Sequence, residues 1–365
     1  AFRLHDRALH RKLALNSGLY LGEAYMDGTL TVEQGTLTEL MALLTSNLAV
    51  APPLPLESWR DRLAPLFRRL QQFNPIGRAR ENVAHHYDLS DTLYDLFLDA
   101  DRQYSCAYFI TPDDTLEQAQ TNKKRHIASK LLLEPGMRVL DIGSGWGGLG
   151  IYLAQVAEVE VTGLTLSKEQ HARSNQRAAA ARLGNRVQFH LRDYREEAGR
   201  YDRIVSVGMF EHVGVPQFPA FFGKLKELLA PGGVALLHSI GRMDGPGTTN
   251  PWLRKYIFPG GYAPALSEVL PVVERLGLWA TDIEILRLHY AETLKNWHQR
   301  FTQHRAEIAR LYDERFCRMW EFYLVGAEMD FRHLSTMVFQ MQLSREIDAV
   351  PLRRDYMVDW ERAHT

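Results

Sequence analysis

Met137–Ile151 reads MRVLDIGSGWGGLGI. Its first half, Val139-Leu140-Asp141-Ile142, is a short apolar run of the kind that forms a buried strand. Gly143-Ser144-Gly145-Trp146-Gly147-Gly148 follows, and a helical pattern begins at once. A strand that enters a Gly-rich turn and leaves as a helix brings bare backbone close to a ligand. The helix N-terminus then offers unpaired N–H groups to an anionic or polar group. A plain tight turn would use the same glycines. The strand before, the helix after and Asp141 two residues ahead of the first glycine favour a nucleotide-type ligand.

The rest of the chain extends this unit. Strands are expected at Val159–Leu166, Val187–Asp193, Tyr201–Met209 and Gly232–Ile240. Helices are expected at Leu116–Leu133, Ser167–Leu183 and Phe218–Leu229, the second capped by Ser167 with Gln170 at its third position. Such alternation predicts an α/β fold with a parallel, doubly wound sheet. Ligands then lie beyond the carboxyl ends of the strands, which nominates Gly143, Gly145, Thr165, Asp193, Glu211 and His238. Asp193 equally suits a helix cap. A dinucleotide site carries an acid about 20 residues beyond its glycines. Here that strand ends Gly163-Leu164-Thr165-Leu166, without one, and the glycines are spaced GxGxG. Both facts speak against NAD.

Composition sets the outer bounds. The chain has 365 residues, 45% hydrophobic and 24% charged, with a formal net charge of −1. That suits two globular domains and gives no overall field toward nucleic acid. The two cysteines, Cys106 and Cys317, are too few for a disulfide framework and point to a reducing compartment. No apolar run reaches the roughly 18 residues of a membrane span. The opening residues carry no secretory apolar stretch, so a cytoplasmic location is expected.

Residues 1–75 read as a small, mostly helical unit, with a loop over Gly18–Gly28 and a leucine stripe over Leu37–Leu48. Residues 76–100 read as a linker that includes a short helix at Leu93–Leu98, and 101–365 as the catalytic domain. His85-His86-Tyr87-Asp88 has no further ligand at metal spacing, and no metal is expected. Residues 242–265, rich in Gly, Pro and aromatics, suit a lid. The part beyond Ala291 reads as helical.

The glycine spacing and the missing acid are similar to class I S-adenosylmethionine methyltransferases, with a Rossmann-like sheet. Several segments together narrow this. They are Gly22-Glu23-Ala24-Tyr25-Met26-Asp27-Gly28, His85-His86-Tyr87-Asp88, Tyr104-Ser105-Cys106-Ala107-Tyr108-Phe109 and Val139–Gly143. To these add Gly163–Ser167, Met209-Phe210-Glu211-His212-Val213-Gly214, Leu237-His238-Ser239-Ile240-Gly241 and His289-Tyr290-Ala291-Glu292-Thr293-Leu294. The set resembles the cyclopropane fatty acid synthase family over nearly the whole chain. Two positions depart from it. Ser144 stands where the family's loop commonly has Cys, and Ala327 where some members carry another Cys.

The resemblance implies methylene transfer from S-adenosylmethionine to the cis double bond of an acyl chain in an intact phospholipid. It implies a bound bicarbonate as base, held by Cys106, Glu211, His238, Ile240 and Tyr290, with Cys106 and Ile240 contributing backbone groups. For the cofactor it points to Tyr104, Ser105, Asp141, Gly143 and Gly145, to Thr165 and Gln170 near the ribose, and to Asp193 and Tyr194 on the adenine side. A lipid docking role for the N-terminal unit, a peripheral position on the inner membrane face and a homodimer are implied as well.

Ser58–Gln72 reads as an amphipathic helix with Arg60, Arg62, Arg68 and Arg69 against a single acid, Asp61. Such a helix either lies on anionic lipid or presents a solvated face. Replacing Arg68 and Arg69 by Glu separates the two in a vesicle sedimentation assay. A docking helix loses affinity for anionic vesicles in a salt-dependent manner; unchanged affinity identifies a solvated face.

Overall fold

The computed structural model describes residues 1–50 and 91–364. The Ser58–Gln72 helix and the His85–Asp88 motif lie outside the described residues, as does most of the 76–100 stretch. Two short strands, β1 (Phe2–Leu4) and β2 (Leu30–Val32), pair antiparallel. The main sheet holds β3 (Arg138–Ile142), β4 (Glu160–Thr165), β5 (Val187–Leu191), β6 (Tyr201–Val207), β7 (Leu229–Arg242), β8 (Trp279–Ile285) and β9 (Thr336–Ser344). Its order is β5-β4-β3-β6-β7-β9-β8. Strands β3 to β7 run parallel, and β9 enters antiparallel between β7 and β8. This is the Rossmann-like sheet expected, with an antiparallel insertion on one side.

Strand β3 is buried from Val139 to Ile142, as a central parallel strand flanked by helices must be. The helix Gly148–Ala157 follows it, and the helix Lys168–Ala180 follows β4 with the Ser167 side chain accepting from Gln170 N. The strand order reverses between β4 and β6 around β3, so the glycine turn sits at the switch point where ligands bind.

Two expectations are corrected. Gly18–Gly28 is not a loop: it falls largely inside the helix Ala8–Met26, whose only non-helical residue is Asn16. The C-terminal part is not helical throughout. Its helices His289–Gln303, Arg305–Leu311, Glu314–His333 and Asp355–Ala363 are joined by β9, which completes the sheet. The helix expected at Leu93–Leu98 is present as Asp91–Phe97, and its Leu93, Tyr94 and Phe97 are buried in a cluster shared with Trp297 and Trp320.

The N-terminal helices join that same cluster through Met26, Leu37 and Met41. The segment after β7, which carries the helix Pro251–Tyr256, packs against them. Trp252 is buried between Met26 and Phe322, its indole N–H 3.1 Å from Met26 Sδ. Glu23 accepts from Lys255 Nζ at 2.7 Å and from the Tyr256 hydroxyl at 2.9 Å. Tyr25 donates its hydroxyl to Glu321 at 2.8 Å. The Gly22–Tyr25 motif therefore fastens the first helix to this segment and to the helix Glu314–His333.

Gly22 is required by that contact. A Cβ there would lie 2.5 Å from the Trp252 ring and 2.8 Å from Phe322. Gly22→Ala is expected to destabilise the protein by about 1–3 kcal/mol despite its better helix propensity. Gly326→Ala is the control, because its Cβ meets only Met41 Cε at 3.7 Å. A thermal melt in which Gly22→Ala is as stable as Gly326→Ala would refute the close-packing account.

Candidate active site

At the carboxyl ends of β3, β4 and β6 the structure has a cavity. Tyr104, Ser105, Asp141, Gly143, Gly145, Thr165, Gln170, Asp193 and Tyr194 all line it. The sequence reading had nominated all nine for the cofactor.

The glycine turn is left-handed at Gly143 (φ +85°) and Gly145 (φ +54°). A Cβ on Gly145 would meet nothing within 4 Å, so the backbone there faces open space. Gly143 and Ser144 each donate their N–H to Leu164 O on the neighbouring strand, which holds the turn against β4. Behind the turn, Asp141 is fully buried and its Oδ2 has no hydrogen-bond partner. Burial pushes its carboxyl up to about 7. A buried, unpaired acceptor is costly unless a ligand donor meets it.

Thr165 donates its hydroxyl to Gln170 Oε1 at 2.8 Å. The carboxylate of Asp193 does act as a cap, accepting from Arg195 N at 3.0 Å. It also holds the Arg195 guanidinium, with bonds of 2.8 and 2.6 Å. Tyr104 stacks on Trp297, ring centres 5.1 Å apart, and its hydroxyl is 3.0 Å from that of Tyr323.

Lys123 also lines this cavity, and the sequence reading missed it. It is 1% exposed and donates to Gln103 Oε1 at 2.6 Å and to Ser105 Oγ at 2.8 Å. Burial pushes its ammonium down to about 8. Within Lys123-Lys124-Arg125-His126 a lysine reads as a solvated face, yet all four are buried. The clue available was the length of the basic run on a helix without matching acids.

Cys106, Glu211, His238, Ile240 and Tyr290 do not line the cavity. They are tied to one another beside it. Glu211 Oε1 accepts the Ile240 N–H at 2.7 Å. His238 and Ile240 alternate along β7 and share one face. Cys106, Tyr290 and Ile240 belong to one apolar cluster. Ala107 N donates to Thr293 Oγ1 at 3.0 Å, which joins the Cys106 loop to the helix that carries Tyr290. Gly208, a cavity residue, donates its N–H to the His238 carbonyl at 3.0 Å.

The electrostatics of these residues differ sharply. Glu211 Oε2 is buried and unpaired, and burial pushes the carboxyl up to about 7. Burial, with the Lys123 and Lys130 charges, pushes His238 down to about 3. The Cys106 thiol is raised well above its usual range by burial, so it is not a thiolate near neutrality.

A Rossmann-like sheet with β9 antiparallel, a GxGxG turn at its switch point and a cavity without a ribose acid define a class I S-adenosylmethionine-dependent transferase. The residues fit that cofactor: an open backbone cradle at Gly145 and an orphaned acceptor on Asp141. The mycolic acid cyclopropane synthetase family model matches residues 76–341, and the chain belongs to this family. The chain is 38% identical over 352 residues to the tuberculostearic acid methyltransferase UfaA1 of Mycobacterium tuberculosis, covering 93% of this chain and 82% of the relative. It is 36% identical over 346 residues to the cyclopropane-fatty-acyl-phospholipid synthase of Escherichia coli K12, covering 95% and 88%. The crystal structure of mycolic acid cyclopropane synthase CmaA1 with SAH and CTAB superposes with a TM-score of 0.70 at 33% identity, over 74% of this chain and 99% of that one. The protein is thus a lipid-directed, S-adenosylmethionine-dependent methylene or methyl transferase.

Gly145→Val should abolish S-adenosylmethionine binding measured by calorimetry, because a β-branched side chain would fill the cradle at a strained φ. Unchanged affinity in a folded variant would remove the turn from the cofactor site.

Proposed function

We propose that the protein transfers a methylene from S-adenosylmethionine to the cis double bond of an unsaturated phospholipid acyl chain and closes a cyclopropane ring. The observation that carries this reading is Glu211, a carboxylate with one oxygen on Ile240 N–H and the other, Oε2, buried and unpaired.

An alkene is a weak nucleophile. It must meet an activated methyl in line, with water excluded. When bound, S-adenosylmethionine supplies that methyl on a sulfonium, which leaves as a neutral thioether. The acyl chain is left with a cationic carbon, and loss of one proton from the new methyl lets the ring close. The protein must therefore exclude water, tolerate a cation and hold a base.

Tyr108, Phe109, Phe210 and Tyr290 are the aromatic candidates for facing the cation. Phe210 stacks on Phe218 at 4.4 Å in the core beneath the site, which favours packing as its role. Tyr290 lies against Phe331 at 4.8 Å and edge-on to Trp297 at 5.8 Å, in the cluster that contains Cys106. It is the stronger candidate.

Bicarbonate would supply the proton acceptor. Ile240 N–H, His238 and Tyr290 would act as its donors, with a backbone group of Cys106, and the unpaired Glu211 oxygen would accept its O–H. The fit rests on the donor set and on that orphaned acceptor. The Ile240 N–H that bicarbonate would use is held by Glu211 Oε1 in this structure, so Glu211 has to yield one bond as the anion enters.

Glu211→Gln should retain cofactor affinity while turnover falls roughly 10²–10⁴-fold. The wild-type rate should decline as pH drops through about 7, where the raised Glu211 carboxyl becomes protonated and can no longer accept. Full activity in the variant, or a rate that rises on acidification, would remove Glu211 from this role.

A second reading has specific support: the relative in M. tuberculosis is named a methyltransferase. A methyl-branched product would share the first bond-forming step and differ in how the cation is resolved. Mass spectrometry after incubation with S-adenosylmethionine and unsaturated phospholipid vesicles tests both. A gain of one CH2 per acyl chain that resists hydrogenation is the cyclopropane. The same gain in a product that takes up hydrogen is the branched lipid. No gain refutes both.

The membrane surface as the place of encounter, the N-terminal unit as its docking element, the lid role of residues 242–265 and a homodimer belong to the same proposal. The exposed apolar side chains Leu43, Leu48 and Val50 at the end of the second helix support a docking face. No helix among the described residues is long and apolar enough to cross a membrane.

A further inference from the structure

His238 on β7 faces Gln340 on β9 in the antiparallel register. Both side chains are 1% exposed. The Gln340 amide nitrogen lies 3.2 Å from His238 Nδ1. The other end of the amide meets Lys130 Nζ at 2.7 Å. An ammonium has three donors and no acceptor, so only the amide oxygen can face it. The NH2 end must then face the imidazole, and His238 Nδ1 must accept. A ring nitrogen that accepts carries no proton, and a neutral imidazole in this position holds its proton on Nε2.

Lys130 is itself fixed. Its ammonium pairs with Glu284 on β8, which also takes a 2.7 Å bond from His126 Nε2. His126 Nδ1 is 2.6 Å from Glu361 on the C-terminal helix. The chain of partners therefore runs from that helix through β8 and β9 to the candidate site on β7. Lys130, Gln340 and His238 are each 1% exposed, so turning the Gln340 amide over would set its NH2 against the ammonium, and this buried series has one low-energy polarity.

We infer that Lys130 and Gln340 are positioning residues that lock His238 in its Nε2–H tautomer, so that it serves the reaction as a hydrogen-bond donor and not as a proton acceptor. Proton removal then falls to another group, and the role of the ring is to steady an anion beside Glu211 and Ile240. Neither residue touches the reacting atoms; both act through His238. The inference rests on the placement of His238 in the active site proposed above.

Gln340→Glu is the decisive variant. It keeps an acceptor for Lys130 but turns the end facing His238 into an acceptor too, which draws the proton onto Nδ1. The readout is the pair of ring 15N shifts of His238 in the full-length, histidine-labelled protein, assigned by their loss in His238→Gln. The wild type is expected to show an unprotonated Nδ1 and a protonated Nε2. Gln340→Glu is expected to show a protonated Nδ1, with cofactor affinity retained and kcat lower by at least about 10²-fold. Loss of the productive tautomer in a Ser-His-Asp triad costs about 10⁴ and sets the scale. Lys130→Met, which frees the amide to turn over, should give a mixture of both tautomers.

A protonated Nδ1 in the wild type would overturn the inference whatever the activities. If Gln340→Glu switches the ring without lowering kcat while His238→Gln does lower it, the inference fails and the site reading stands. If neither variant lowers kcat, the placement of His238 in the site fails.

Discussion

A buried cation must find an acceptor, and the helix Leu116–Ser129 with Lys130 just beyond it buries Lys123, Lys124, Arg125 and Lys130. Lys123, Lys124 and Lys130 are each answered from a different part of the chain. Lys123 holds the Gln103–Ser105 segment that walls the cavity. Lys124 pairs with Asp101 at 2.6 Å, and Asp101 also pairs with Arg177, which donates to the Trp146 carbonyl at 2.7 Å within the glycine turn. Lys130 reaches β8 and β9. One helix thus fixes the cavity wall, the glycine turn and the far edge of the sheet. Buried ion pairs add little net stability because desolvation offsets their attraction, but removing one partner strands a charge. Their consequence here is a single permitted arrangement of the site. Asp141 Oδ2 and Glu211 Oε2, both buried and without a hydrogen-bond partner, stand out against that saturation.

The central unit was legible in the sequence because its determinants are local. Val139, Leu140 and Ile142 put apolar side chains on both faces of the strand, the glycines follow immediately, and Ser167 announces the next helix. The nine residues named for the cofactor converge on one cavity because all but Tyr104 and Ser105 lie at or just beyond strand ends of a parallel sheet. Those two, like Gln170 and Tyr194, were named through the family resemblance alone.

What stayed hidden was tertiary. Strand β9 carries Gln340 and Gln342 at buried positions, which spoils an apolar strand signature; their partners, Lys130 and His238 for one, Thr281 and Lys130 for the other, come from distant segments. Gly18 and Gly22 read as loop residues because a helix interior disfavours glycine, and only the approach of Trp252 explains Gly22. Lys123 gives no site signal in the sequence because nothing within its own helix shows that Gln103 and Ser105 cover it.

The buried surroundings also decide which chemistry is open to the site. A thiolate nucleophile needs a partly exposed, electropositive setting. Cys106 and Cys317 are both buried, and burial raises both thiols. Ala327 occupies the position at which some members of the family carry a further Cys, so that position offers no thiol. Glu211, by contrast, sits near the pH at which a carboxyl changes state, and His238 is held neutral between two lysines. In the proposed reaction, proton handling would therefore fall to oxygen acids, and the neutral ring beside them would donate a hydrogen bond without adding the positive charge that would repel a cationic carbon on the acyl chain.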